Sequence, residues 1–163
     1  CVILTLMHKS FYASGFLYHP ATHQILLQQT IVPDAPPSPL DMFCGMSKEG
    51  EDEKAAFARM MLETFRIELK EKHIFPVYDY VTNDSSHRNI YVFYGQIRKL
   101  EEFTPKHGKI YSWLTFKQMI KLSILDQAKQ DLMVSERVIH AAERTKAAIH
   151  VAPTHIQFPK LFH

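Results

Sequence analysis

Cysteine is scarce in this chain: Cys1 and Cys44 are the two thiols among 163 residues. Two cysteines build no disulfide framework, so a reducing compartment, the cytoplasm, is the expectation. No Cys-His signature surrounds Cys44, which is expected to be an inert small residue before Gly45 and not a nucleophile. Charge of one sign is also lacking. Lys and Arg number 19 against 17 Asp and Glu, for a net charge of +2. So even a balance selects no acidic partner, and nucleic acid is not expected. No apolar run approaches the roughly 20 residues needed to cross a bilayer, so no membrane association is expected. The opening CVILTLM lacks the basic start and cleavage pattern of a secretion signal. There is no P-loop, no G-x-G-x-x-G and no G-x-S-x-G. The 10 histidines form no helical H-x3-H pair and no cluster with cysteine, which argues against zinc.

What remains is the composition of a globular protein: 46% hydrophobic and 22% charged residues. The length suits one domain over 1–163 with a sizeable core. FYASGFLYHPATHQILLQQT predicts two strands around a turn at residues 19–23. Pro33, Pro36, Pro37 and Pro39 then forbid a central strand or helix. That segment is either a stiff surface loop or a loop that shapes a pocket, and the sequence favours neither.

A helix is expected after Glu51, with Asp52 as N-cap and Glu53 in the first turn. Phe57, Met61 and Phe65, at four-residue spacing, form its core stripe. HIFPVYDYVT and RNIYVFYGQI predict a hairpin, and KIYSWL a further strand. Thr115 with Gln118 is a capping-box signature. LDQAKQDLM and SERVIHAAERTKAA predict two helices, the second capped by Ser135, with Val138, Ala141, Thr145 and Ala148 on its apolar face. The tail VAPTHIQFPKLFH is expected to dock on a surface, its own or a partner's. This order of elements suggests an α/β sandwich.

One stretch carries chemistry: CGMSKEGEDEKAAFARMMLETFRIEL. It resembles the Nudix box, G-x5-E-x7-R-E-U-x-E-E-x-G-U, with U a bulky aliphatic residue. Gly45, Glu51, Arg59, Glu63 and the U positions Met61 and Ile67 match at the box spacing. Met60 and Thr64 stand where the family has glutamates, and Arg66 where it has glycine. YSWLTFKQM resembles the tryptophan, linker and helix that follow. The resemblance covers about 11–121 and implies a Nudix α/β/α sandwich with a mixed sheet, to which the helices read from the sequence add a C-terminal extension with its tail over 122–163.

The resemblance also implies an activity: metal-dependent hydrolysis of a nucleoside diphosphate linked to another group. Glu63 and the Gly45 carbonyl would hold Mg2+ or Mn2+, while Glu51 and Arg59 tie the loop to the helix. Magnesium needs clustered hard oxygen ligands, and the acids of the box share one helical face at i, i+3 and i+4. Here those positions are Met60, Glu63 and Thr64, so one carboxylate of three remains. His107, with Glu101 and Glu102 upstream, lies near the place where some relatives supply another acid.

Two functions therefore stand open. One is a Nudix-type hydrolase with impaired or altered catalysis. The other is a catalytically inactive Nudix-fold module that binds a nucleotide-like ligand or a protein. A homodimer built partly by the apolar tail is compatible with both.

Overall fold

The computed structural model describes residues 9–151. The expectations for the tail and for Cys1 lie outside the described residues. The first strand, β1 (Tyr12–His19), is the axis of the fold. It pairs antiparallel with β2 (Gln24–Thr30) through its last residues and with β3 (Phe43–Met46) through its first. Its other edge pairs parallel with β5 (Asn89–Gln96) over Tyr12 to Tyr18. β4 (Ile74–Val81) and β6 (Lys109–Thr115) complete a six-stranded mixed sheet of order β4-β5-β1-β2-β6, with β3 beside β1. Pro76 sits in β4, an edge strand, where the register shifts between Pro76 and Tyr78. A residue without an N–H is tolerated in such a place.

Alternation along β1 sends side chains into two cores. Ala13 and Leu17 join Phe57, Met61 and Phe65 of helix α1 (Glu53–Phe65) on one face. Phe16 and Tyr18 join Phe116, Met119, Leu132 and Ile139 of α2 (Phe116–Met119) and α3 (Asp126–Val151) on the other. The result is the expected helix–sheet–helix sandwich. Gly15 makes the close approach possible: a Cβ there would stand 2.0 Å from the Phe93 carbonyl oxygen and 2.8 Å from the Phe57 ring.

The caps form as the sequence predicts. The Asp52 carboxylate accepts from the Ala55 N–H at 2.7 Å. Thr115 and Gln118 complete their capping box, on a helix of one turn. The C-terminal region differs from expectation. One helix, α3, runs through where two were predicted. Ser135 is no N-cap: it is buried in mid-helix, and its hydroxyl donates to the Asp131 carbonyl at 2.7 Å. The buried face is Ala128, Leu132, Ser135 and Ile139, while Ala141, Thr145 and Ala148 are exposed and Val138 is half-buried. No glycine or proline interrupts residues 126–151, so nothing forces a break, and packing on the sheet selects the face.

The four-proline segment is a loop. It is tethered by the Leu40 N–H donating to the Ser123 carbonyl at 2.9 Å and by a Gln28–Asp41 bridge. Its residues Ser38, Pro39 and Asp41 line a cavity of about 180 Å³ with Gln28, Thr30, Lys109 and Leu125. Among the described residues, no helix is long and apolar enough to cross a membrane.

Candidate functional site

The candidate site forms where β3 leaves the sheet and turns into α1. Gly45 pairs with Ala13 across the ladder. The chain then turns through Gly50, at φ 83°, before Asp52 caps α1. Arg59 reaches back from the helix to this turn. Its Nε donates to Glu51 Oε1 at 2.5 Å and its Nη2 to Glu51 Oε2 at 3.1 Å. The same Nη2 donates to the Met46 carbonyl at 2.9 Å. Glu51 also accepts from the Lys48 N–H at 2.8 Å, so its carboxylate closes the turn on itself. A paired arginine fork of this kind fixes geometry as well as charge. The Arg59 contact holds the Glu51 carboxyl below its usual range, against a smaller opposing effect of burial.

Glu63 lies one turn further along α1, beside Arg59. Its Oε2 accepts from Arg59 Nη1 at 3.2 Å and its Oε1 from Lys48 Nζ at 3.3 Å. The side chain is 55% exposed, yet it faces the loop between β3 and α1. Lys48 first, then Arg59, holds its carboxyl low. Two carboxylates and two cations thus form one ion-paired network.

The positions that depart from the box have visible consequences. Met60 is buried, and its sulfur lies 3.2 Å from where a Cβ on Gly45 would stand. A thioether therefore fills the space that a second carboxylate would occupy. Thr64 is half-buried and uncharged. Arg66 adopts the left-handed conformation, φ 59° and ψ 26°, and its N–H closes the helix on the Leu62 carbonyl at 2.9 Å. That conformation explains why a glycine suits the position.

His107 is exposed in the turn before β6, at φ 50°, between Lys106 and Gly108. Among the described residues no hydrogen bond or ion pair joins it to the box. The Glu101 carboxylate pairs with Lys99, its carbonyl accepts from Trp113 Nε1 at 2.7 Å, and Glu102 is exposed. Cys44 is exposed on β3 and unpaired.

A hard divalent cation needs several oxygen donors converging on one point. Glu63 alone offers an acid on the proper face, and both its oxygens are engaged by cations. Among the described residues no group of three His, Cys, Asp or Glu side chains could hold a metal. The donor set as arranged does not fit such an ion.

The sandwich has solved counterparts. A Nudix hydrolase from Nitrosomonas europaea superimposes with a TM-score of 0.57 over 78% of this chain and 88% of its own, at 14% identity. An Ap4A hydrolase from C. elegans gives 0.59 over 80% and 98%, at 15% identity. The Nudix domain of Shewanella oneidensis NrtR, solved with ADP ribose, gives 0.59 over 80% and 86%, at 13% identity. The fold is that of the Nudix hydrolases. No protein-family model and no curated protein sequence matches the chain. At such low identity the likeness establishes the fold alone. Within that Nudix fold, the structure brings Gly45, Glu51, Arg59 and Glu63 together and leaves His107 outside their network.

Sequence reasoning missed Lys48. It lies in the x5 segment of the box, where any residue is allowed, and nothing in the pattern marks it. A Lys 15 positions before Glu63 meets it because the Gly50 turn folds the loop back along the helix.

Proposed function

We propose that this chain is a Nudix-type hydrolase domain with impaired catalysis, which takes a nucleoside diphosphate linked to another group. The observation that carries this reading is the Glu51–Arg59–Glu63 network, which ties the loop of Gly45 to α1 at the box spacing. Lys48 and Arg59 add cationic donors at the mouth of the loop and suit a diphosphate. Impairment follows from the loss of two carboxylates, since such a cluster ordinarily activates water and clamps the leaving oxygen around Mg2+ or Mn2+.

The test is a panel of nucleoside diphosphates joined to sugars, nucleosides or phosphates, assayed with magnesium and with manganese. Slow cleavage of the diphosphate is expected. Glu63→Gln should abolish it while the melting temperature stays within a few degrees. Introducing Met60→Glu with Thr64→Glu should raise turnover by about a hundredfold, the scale of one preorganised charge-stabilising group. Unchanged activity in E63Q overturns the assignment of Glu63.

Met60 supports a second reading, an inactive ligand-binding module, because its thioether seals the space beside Gly45. That reading expects no turnover above background, while one nucleotide of the panel still raises the melting temperature.

A further inference from the structure

A second cavity lies far from the box. Gly45 faces Ala13 near the start of β1, whereas the cavity opens at His19, six residues on. At strand spacing that is ~20 Å away. The cavity measures about 480 Å³, within the range of small-molecule sites. Its wall carries Lys72, Arg98 and Lys146 beside His19 and His73, and among the described residues no carboxylate lines it.

These side chains come from separate parts of the chain. Lys72 and His73 belong to the 3-10 turn Glu71–His73, Arg98 follows β5, and Lys146 lies on α3. Among the described residues, none of Lys72, Arg98 and Lys146 forms an ion pair. The neighbouring acids are not free to neutralise them all. Glu143, one turn before Lys146, accepts from the Tyr18 hydroxyl at 2.7 Å and lies 3.6 Å from His23. Glu71, beside Lys72 in sequence, is exposed and is not part of the wall.

The wall is also built to hold shape. His19 is buried, and its Nε2 donates to the Arg98 carbonyl at 3.1 Å, since a carbonyl can only accept. Its Nδ1 stands 2.8 Å from Thr22 Oγ1. This ring pins the β1–β2 turn to the chain leaving β5 and so fixes the backbone that carries Arg98. Phe75 stacks on Tyr94 at 5.1 Å between centroids, and Lys146 Nζ lies 5.9 Å from the Phe75 centroid.

We propose that this cavity is a second ligand site, which takes a small polyphosphorylated anion through Lys72, Arg98 and Lys146. Unpaired cations around a concavity focus positive potential where a counter-ion is lacking. Arginine supplies a planar fork for one phosphate, and the two lysines supply point charges for its neighbours. Three cations from three elements match linked phosphates better than a single carboxylate. The phosphates come either from a nucleotide tail or from a free inorganic chain, and the chemistry recognised is the same.

The test is isothermal titration of the full chain with tripolyphosphate, with ATP and with adenosine. Tripolyphosphate is expected to bind with a Kd below about 1 mM, more weakly as salt rises. ATP binding tighter than tripolyphosphate assigns the nucleotide source, equal or weaker binding assigns the inorganic chain, and adenosine should give no heat. Lys72→Gln with Lys146→Gln should weaken binding by about tenfold or more, whereas Lys117→Gln, exposed on α2 and outside both sites, should not change it. As a check independent of variants, tripolyphosphate should protect Lys72 and Lys146 from amine acylation in the unmodified protein and leave the exposed Lys117 reactive. Absence of binding, equal binding by K72Q/K146Q, or protection of Lys48 in place of the pair would overturn the proposal. None of these readouts involves hydrolysis at Glu63, so the two sites stand or fall separately.

Discussion

Met60 faces Gly45: its sulfur lies 3.2 Å from the point where a Gly45 Cβ would project. That arrangement brings a soft, neutral atom to a place beside Gly45 where the expected box has an acid. Restoring acids there should restore cation binding. Met60→Glu with Thr64→Glu is expected to lose about 1–3 kcal/mol in the presence of a chelator, from a carboxylate placed in a buried position. Manganese at a hundred times its Kd should return ~2.7 kcal/mol. Thermal melts with and without manganese check this, and the parent chain should show no comparable shift. A parent shift as large as the variant's would mean that other ligands serve.

Arg66 holds a left-handed backbone at φ 59°, which costs an L-residue of this kind ~1–2 kcal/mol. Arg66→Gly should relieve that strain, less the greater freedom of glycine in the unfolded chain. The expected gain is about 0.5–1 kcal/mol by denaturant titration. Arg66→Ala should give none of it, which separates backbone relief from loss of the guanidinium.

Glu51 makes stability depend on acid. Its carboxyl is held below the usual 4.5, chiefly by the Arg59 hydrogen bond. A group depressed in the folded state stabilises above its unfolded pKa, and that contribution fades as pH falls through the folded value. Glu51→Gln is therefore expected to lose about 1 kcal/mol near neutral pH and to converge on the parent as pH falls through the folded value. Unfolding curves measured from pH 3 to 7 test it. A constant gap across that range would show that the carboxylate charge is not what matters.

Asp131 should act in the opposite sense. Burial raises its carboxyl above the usual 3.8, against the Tyr78, Gln127 and Tyr80 groups that donate to it. The folded protein then holds this proton more tightly than the unfolded chain. Its contribution is fullest below the unfolded value and is lost as pH rises through the folded one. Asp131→Asn should flatten that part of the profile. Asp131→Ala also strands both tyrosine hydroxyls and should cost about 2–3 kcal/mol more than Asp131→Asn at any pH. Denaturant titrations from pH 3.5 to 8 distinguish these outcomes.

Much of the sandwich was legible because its signals are local. Asp52, the Phe57–Met61–Phe65 stripe and the Thr115–Gln118 box each act within one or two turns of chain. The box was legible for the same reason, as spacing along one loop and one helix. What escaped was tertiary. Ser135 resembles a cap in sequence, but the sheet buries it and keeps α3 unbroken. Asp131 in LDQAKQDLM has the look of a solvated acid until β4 brings Tyr78 and Tyr80 against it. The cationic cavity draws Lys72, Arg98 and Lys146 from distant segments, each of which looks like ordinary surface alone.

The Arg59 clamp closes on Glu51 and on the Met46 carbonyl without help from positions 60 or 64. Scaffold and reactivity are therefore separable in this protein. Exchanges at positions 60 and 64 alter the charge beside the loop without touching the contacts that set its course.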